Sequence, residues 1–252
     1  MNRDWIVRVV DPLSWLTGHI QSRTPCCYVR FNDGEAYSMT GMKRDSESNG
    51  EHTYTDRLRR GLASAYIEAM AASASGEEVV VGSWWYEDPT HLAAAALKNI
   101  ADLFGLTDEV KWSRGCLWHR EELEARGECD GRWLMEWLNA VKGFDGTKTL
   151  VGNTCMMPVA ESLNAYHWVV PKVNAGESVN RPHPVADLVL WCAGMPAKRW
   201  IMDARSTYPG SIHVDCGSLF DGLVGLVSRE WLRPETAHGK VYYGEFKRAV
   251  LG

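Results

Sequence analysis

The chain has 252 residues, 45% hydrophobic and 23% charged, a length for one large domain or two small ones and a balance that excludes wholesale disorder and collagen-like structure. With 27 Lys+Arg against 32 Asp+Glu the formal net charge is -5, which argues against a protein that coats nucleic acid over its whole surface but leaves room for a local basic groove. No apolar run approaches the ~18 residues of a membrane span. Arg3, Asp4 and Arg8 do not suit a signal peptide, so a cytoplasmic protein with no membrane span is expected.

Seven cysteines (26, 27, 116, 129, 155, 192 and 216) are odd in number, irregular in spacing and without a Cys-x-x-Cys pair. That speaks against a structural zinc site. Cys26, Cys27, Cys192 and Cys216 lie in apolar, strand-like runs and read as buried free thiols in a reducing compartment. The 12 tryptophans serve the core or stack on a planar or sugar ligand.

In chain order, Asp11-Pro12 opens a helix with Leu13, Leu16 and Ile20 on one face. Cys26 to Phe31 reads as a strand closed by Asn32-Asp33-Gly34. Residues 44–52 form a polar loop, and Thr55 to Ala74 has helical spacing, ended by Gly76. Val79 to Gly82 is a buried strand. Pro89 to Phe104 is a helix capped by Gly105. A short strand at 110–112, a helix at 131–141, a strand at 149–152, a helix at 158–164 and a strand at 168–170 follow.

The clearest unit is a strand at 187–193, a turn at Gly194, a helix at 196–207 and a strand at 211–215. This alternation predicts an α/β fold with a mostly parallel sheet and helices on both faces. No linker divides the chain, so a single domain is expected over 1–252, with an N-terminal helical segment at 1–24 and a C-terminal extension at 226–252.

Ligands of such sheets bind beyond the carboxyl ends of strands. At the first candidate end, Asp33 and Glu35 stand two apart. If the stretch stays extended, both carboxylates project to one side and suit a divalent cation that prefers oxygen. Gly34 lets a ligand approach the backbone, and Arg30 offers a fork of donors for phosphate. The alternative is a turn after the strand, with Glu35 capping a following helix. At the second end, Gly194-Met195-Pro196-Ala197-Lys198 brings a glycine, helix amides and Lys198 toward an anion, without the spacing of a Walker motif.

Asp215 ends the next strand as a carboxylate facing ligand or capping a helix, and His213 alternates with it. His91, His119 and His167 lack metal-ligand spacing. Trp84-Trp85-Tyr86 stacks on a ligand or covers the core. Arg57, Arg59 and Arg60 form either a solvated helix face or a nucleic-acid patch.

These motifs together resemble a family. Arg30-Phe31-Asn32-Asp33-Gly34-Glu35 is similar to the Arg-Phe-Gly-Asp-Gly-Glu signature of the GT-D-type glycosyltransferases, a bacterial domain first described as of unknown function. Val169 to Ala175 resembles that family's Val-Pro-x-x-Asn-Ala segment. Leu190 to Lys198 resembles its strand-Gly-Pro-Thr-Ala-Lys turn, and Ile212 to Gly217 its Asp-x-Gly strand end. The matches span about 26–220 in the family's order; Asn32 and Met195 depart from it, and neither change removes a charged group.

The resemblance implies a Rossmann-like fold and transfer of a sugar from a nucleotide-sugar donor, typically a UDP-sugar. It implies that Asp33 and Glu35 bind Mn²⁺ or Mg²⁺ and the diphosphate, with Arg30, Asn174, Gly194 and Lys198 on the donor. Asp33, Glu35 and Asp215 are the catalytic candidates. The acceptor is a glycan, a glycoprotein or a hydroxymethylated DNA base. The two-to-one excess of arginine over lysine fits a GC-rich bacterial or bacteriophage source. Two other readings are a nucleotide-binding module without chemistry and a phosphate-handling hydrolase on a similar sheet. Nothing in the sequence sets the oligomeric state.

Overall fold

A computed structural model describes residues 9–42, 51–83, 92–105, 109–113, 132–177, 182–226, 233, 235 and 242–252. Among them run β1 (Val9–Val10), α1 (Pro12–Ser22), β2 (Cys26–Phe31), α2 (Asp33–Thr40), α3 (Asp56–Ala74), β3 (Val79–Ser83), α4 (Leu92–Leu103) and β4 (Trp112–Ser113). They are followed by α5 (Arg132–Gly143), β5 (Lys148–Gly152), α6 (Met157–Ser162), β6 (Tyr166–Val169), β7 (Leu188–Cys192), α7 (Ala197–Thr207), β8 (Ile212–Asp215) and α8 (Lys247–Leu251). The eight strands form one sheet in the order β1-β4-β3-β2-β8-β7-β5-β6, and every pairing is parallel. The chain is therefore an α/β protein with a Rossmann-like architecture.

Strand side chains alternate between two cores because successive residues of a strand point to opposite faces. Tyr28, Leu188, Leu190, Ile212 and Val214 join one core under α1, α5, α6 and α8. Val29, Phe31, Val189 and Trp191 join the other under α2, α3, α4 and α7. A parallel sheet covered on both faces reads as continuous apolar runs, and β2, β3, β5, β7 and β8 are buried at every position. Phe246 and Val250 pack into the first core, so the C-terminal segment is part of the fold there and not an appendage.

Local chemistry explains the helix ends. Asp11 Oδ1 accepts from the amides of Leu13 and Ser14 at 3.0 and 3.5 Å, and Pro12 fills the first helical position of α1. Thr55 caps α3, its hydroxyl accepting from Leu58 N at 3.2 Å. Gly105, just past α4, sits at φ 64, where L-residues are strained.

After β2 the structure takes the second of the two sequence readings, a turn followed by a helix with Glu35 in its cap. Residues 33–40 are not extended: they form α2, opened by a cap in which Asn32 N donates to Glu35 Oε2 at 3.0 Å. The short strand expected at 110–112 falls at 112–113, and that at 168–170 begins two residues earlier. Cys26, Cys27, Cys192 and Cys216 are free and buried, and burial pushes the thiols of Cys26 and Cys27 up, away from reactivity. Trp84-Trp85-Tyr86, His91, His119, Cys116, Cys129 and residues 43–50 lie outside the described residues. Among the described residues no helix is long and apolar enough to cross a membrane.

Candidate functional site

Three neighbouring strands, β2, β8 and β7, end side by side, and the strand ends with the helices that follow them carry the charged residues singled out in the sequence. Asp215, the last residue of β8, is wholly buried. Its Oδ2 accepts from Arg30 N at 3.1 Å and lies 2.9 Å from Lys198 Nζ. Its Oδ1 accepts from Gly217 N at 3.1 Å and from Arg30 Nη2 at 3.5 Å. A carboxylate has about four lone-pair positions, and all are used. Burial alone would raise the Asp215 carboxyl, but Lys198 and Arg30 outweigh it and hold the group below its ordinary range.

Lys198, in the first turn of α7, is 3% exposed and binds on three sides. Its ammonium lies 3.1 Å from Glu35 Oε1 and 2.9 Å from Asp215 Oδ2, and it donates to Gly194 O at 3.3 Å. The three N–H bonds of a lysine thus have three oxygen acceptors. Glu35 is bound through both oxygens, one to Lys198 and one to the Asn32 amide. Arg30, Glu35, Lys198 and Asp215 make a buried quartet of two cations and two carboxylates.

Two expectations are corrected by this geometry. Asp33 and Glu35 do not project to one side of an extended strand: at the first and third positions of α2 they sit about 200° apart around the helix axis. Asp33 is exposed while Glu35 is buried against Lys198. As arranged, the pair does not form a shared cation site. Nor are the amides behind Gly194 free. Ala197 N donates to Gly194 O and Lys198 N to Met195 O, each at 3.2 Å, in a tight turn that uses them internally.

Glycines shape the corner. Gly217 sits at φ 52, and a Cβ there would lie 1.5 Å from Arg30 Nη2, so the guanidinium occupies the space that any side chain would need. Gly194 sits at φ 65, with His52 Nε2 only 2.6 Å from the position of its absent Cβ. Gly34 is different: its Cβ would meet Met195 Sδ at 3.7 Å, an ordinary contact. Packing does not demand glycine there, although a helix position favours alanine.

Asn174 serves the site from a distance. It adopts φ 50, its amide donates to Glu51 O at 2.7 Å, and its Oδ1 accepts from Thr53 N at 2.8 Å. It grips the backbone on both sides of His52 and seats that ring on Gly194. Burial pushes the His52 imidazole below its ordinary value, so it is neutral at pH 7. Sequence reasoning missed His52, which stands in a polar stretch with no pattern around it. Of the arginines of α3, Arg57 faces an acid, lying 3.6 Å from Glu177, which speaks for a solvated helix face there.

His213 points into the second core, where its Nδ1 accepts from Trp191 Nε1 at 3.4 Å, away from the quartet's ion pairs. His167 is half-buried on the edge strand β6. Among the described residues no group of three or more His, Cys, Asp or Glu is arranged to hold a metal ion.

No family model matches this chain. No curated protein and no solved structure matches it either.

Proposed function

We propose that the protein binds a nucleotide-sugar, most simply a UDP-sugar, beyond the carboxyl ends of β2, β7 and β8 and transfers its sugar to an acceptor hydroxyl. The observation that carries this reading is the buried quartet Arg30, Glu35, Lys198 and Asp215, brought to the carboxyl ends of the central strands from four separate elements. A buried ion network stabilises a fold weakly or not at all compared with apolar packing, so its position at the strand ends favours a binding role. Packing does not require glycine at position 34 in the first turn of α2, where a Cβ would only touch Met195 Sδ. The ordered resemblance of the surrounding motifs to the GT-D-type transferases points the same way.

The residues divide the work. Asp33 is the exposed carboxylate of that turn and the one within reach of substrate. It suits the role of base toward an acceptor hydroxyl. Glu35 and Asp215 have their oxygens engaged, and they position Lys198 and Arg30. Arg30 supplies a guanidinium beside the strand ends for the diphosphate. Asn174 holds the His52 segment that walls the corner.

A mass-spectrometric product screen over UDP-sugars and candidate acceptors tests the reading. Asp33→Asn lowers turnover by about 100-fold or more while leaving the melting temperature unchanged. Glu35→Gln lowers both. Nucleotide binding without product under any acceptor favours the binding-module reading. Phosphate release indifferent to the sugar favours a hydrolase.

A further inference from the structure

The resemblance to metal-assisted transferases implies a divalent cation at Asp33 and Glu35, and the side chains are arranged for something else. We propose that the ammonium of Lys198 is the resident cation of this site and takes the place of a divalent metal. The inference rests on the transferase reading only for the identity of the ligand, a nucleoside diphosphate.

The donor set supports it. Glu35 Oε1, Asp215 Oδ2 and Gly194 O surround Nζ at 3.1, 2.9 and 3.3 Å. Two carboxylates and a carbonyl are the oxygen ligands that a hard cation would choose, and here an ammonium fills their centre. The remaining oxygens of the two carboxylates are also engaged, by Asn32 N on one side and by Gly217 N and Arg30 on the other. The charges of Arg30, Lys198, Glu35 and Asp215 sum to zero. A divalent ion added to that buried group would leave an excess of two positive charges out of water, which burial opposes. Asp33 is exposed on the far side of the helix turn and offers such an ion a single carboxylate.

The same geometry makes an opposite prediction for the variant. Removal of the ammonium leaves three convergent oxygens, two of them anionic, which is a divalent site. Lys198→Ala therefore gains a Mn²⁺ site that the natural protein lacks.

The experiment titrates Mn²⁺ alone into the wild type and Lys198→Ala, following free Mn²⁺ by electron paramagnetic resonance and the melting temperature in parallel. The expected result is no stoichiometric binding to the wild type at ~1 mM Mn²⁺, and one ion per chain with a melting rise of several degrees for Lys198→Ala. That gain disappears in Lys198→Ala/Asp215→Asn. UDP affinity of the wild type stays within about twofold between EDTA and Mn²⁺. One Mn²⁺ per chain on the wild type, or UDP binding that needs Mn²⁺, overturns the proposal. If Lys198→Ala does not fold, the wild-type titrations decide. If UDP binds in neither condition, the transferase reading fails, and the Mn²⁺ titrations still support or overturn the resident ammonium by themselves.

Discussion

His213 stands in the middle of the sheet with its ring out of water, and it ties the stability of the protein to pH. Burial, with a smaller contribution from Arg205, outweighs a backbone contact at Tyr208 and lowers its titration from 6.5 to about 4. In the unfolded chain the imidazole takes its proton near 6.5, whereas the native ring takes it only near 4. Between those values the unfolded state holds the extra proton, so stability falls as pH falls through that window. Above it neither state holds the proton and the dependence ends. The full span is worth about 3 kcal/mol at one pKa unit per ~1.4 kcal/mol. Urea unfolding of the wild type and His213→Leu at pH 7 and pH 4 checks this. The variant is less stable at neutral pH because Trp191 Nε1 loses its acceptor, yet it shows a shallower loss on acidification. His52, also lowered by burial, contributes in the same direction and leaves a residual slope. Equal slopes in the two proteins would remove His213 from the pH response.

At the scale of elements, the strands were legible where burial on both faces makes an unbroken apolar run, as in Cys26–Phe31 and Leu188–Cys192. The helix α2 was legible only as one of two alternatives, because Asp-Gly-Glu-Ala-Tyr-Ser-Met-Thr has no apolar stripe. Its one cue was Glu35 at a capping position, and the sequence held that helix beside an extended carboxylate pair as two readings of the same residues. The strand β1 and the helix α8 are too short for periodicity to register. The members of the site were mostly readable one by one; their partnerships were not, since Arg30 and Asp215 meet across a separation of 185 residues. Asn174 shows the difference: its role as a donor ligand was an expectation, and its side-chain oxygen is spent on the backbone beside His52. Substitution separates its two contributions. Asn174→Gly keeps the left-handed backbone and loses the Thr53 bond, whereas Asn174→Ala loses both. Alanine is expected to cost about 1 kcal/mol more than glycine, the penalty of a side chain in that conformation. In both variants the Thr53 amide exchanges its hydrogen faster than in the wild type. Equal stability of the two would mean that residue 174 does not carry strain.

Taken as a whole molecule, the sheet separates a core built for stability from a core that carries the candidate site. Glu35 and Lys198 come from α2 and α7, which pack on the second face. The first face is closed late in the chain, where Phe246 is 1% exposed and stacks on Phe220 with ring centres 6.1 Å apart. Phe220 in turn packs 6.2 Å from Trp137 of α5. Lys142 Nζ donates to Ala249 O and Ser162 Oγ to Val250 O, fastening α8 to α5 and α6. Phe246→Ala opens a cavity at the root of this fastening, and such truncations cost about 3–5 kcal/mol. Because Glu35, Lys198 and Asp215 lie on the other face, the loss is expected in global stability alone. In urea the unfolding midpoint of Phe246→Ala drops, while its affinity for UDP under native conditions stays within about twofold of wild type. The comparison requires that the wild type bind UDP, so the product screen and the nucleotide titration come first. A folded Phe246→Ala protein that has lost its nucleotide would show that the two faces are coupled through the strand ends and that α8 helps to set the geometry of Arg30 and Asp215.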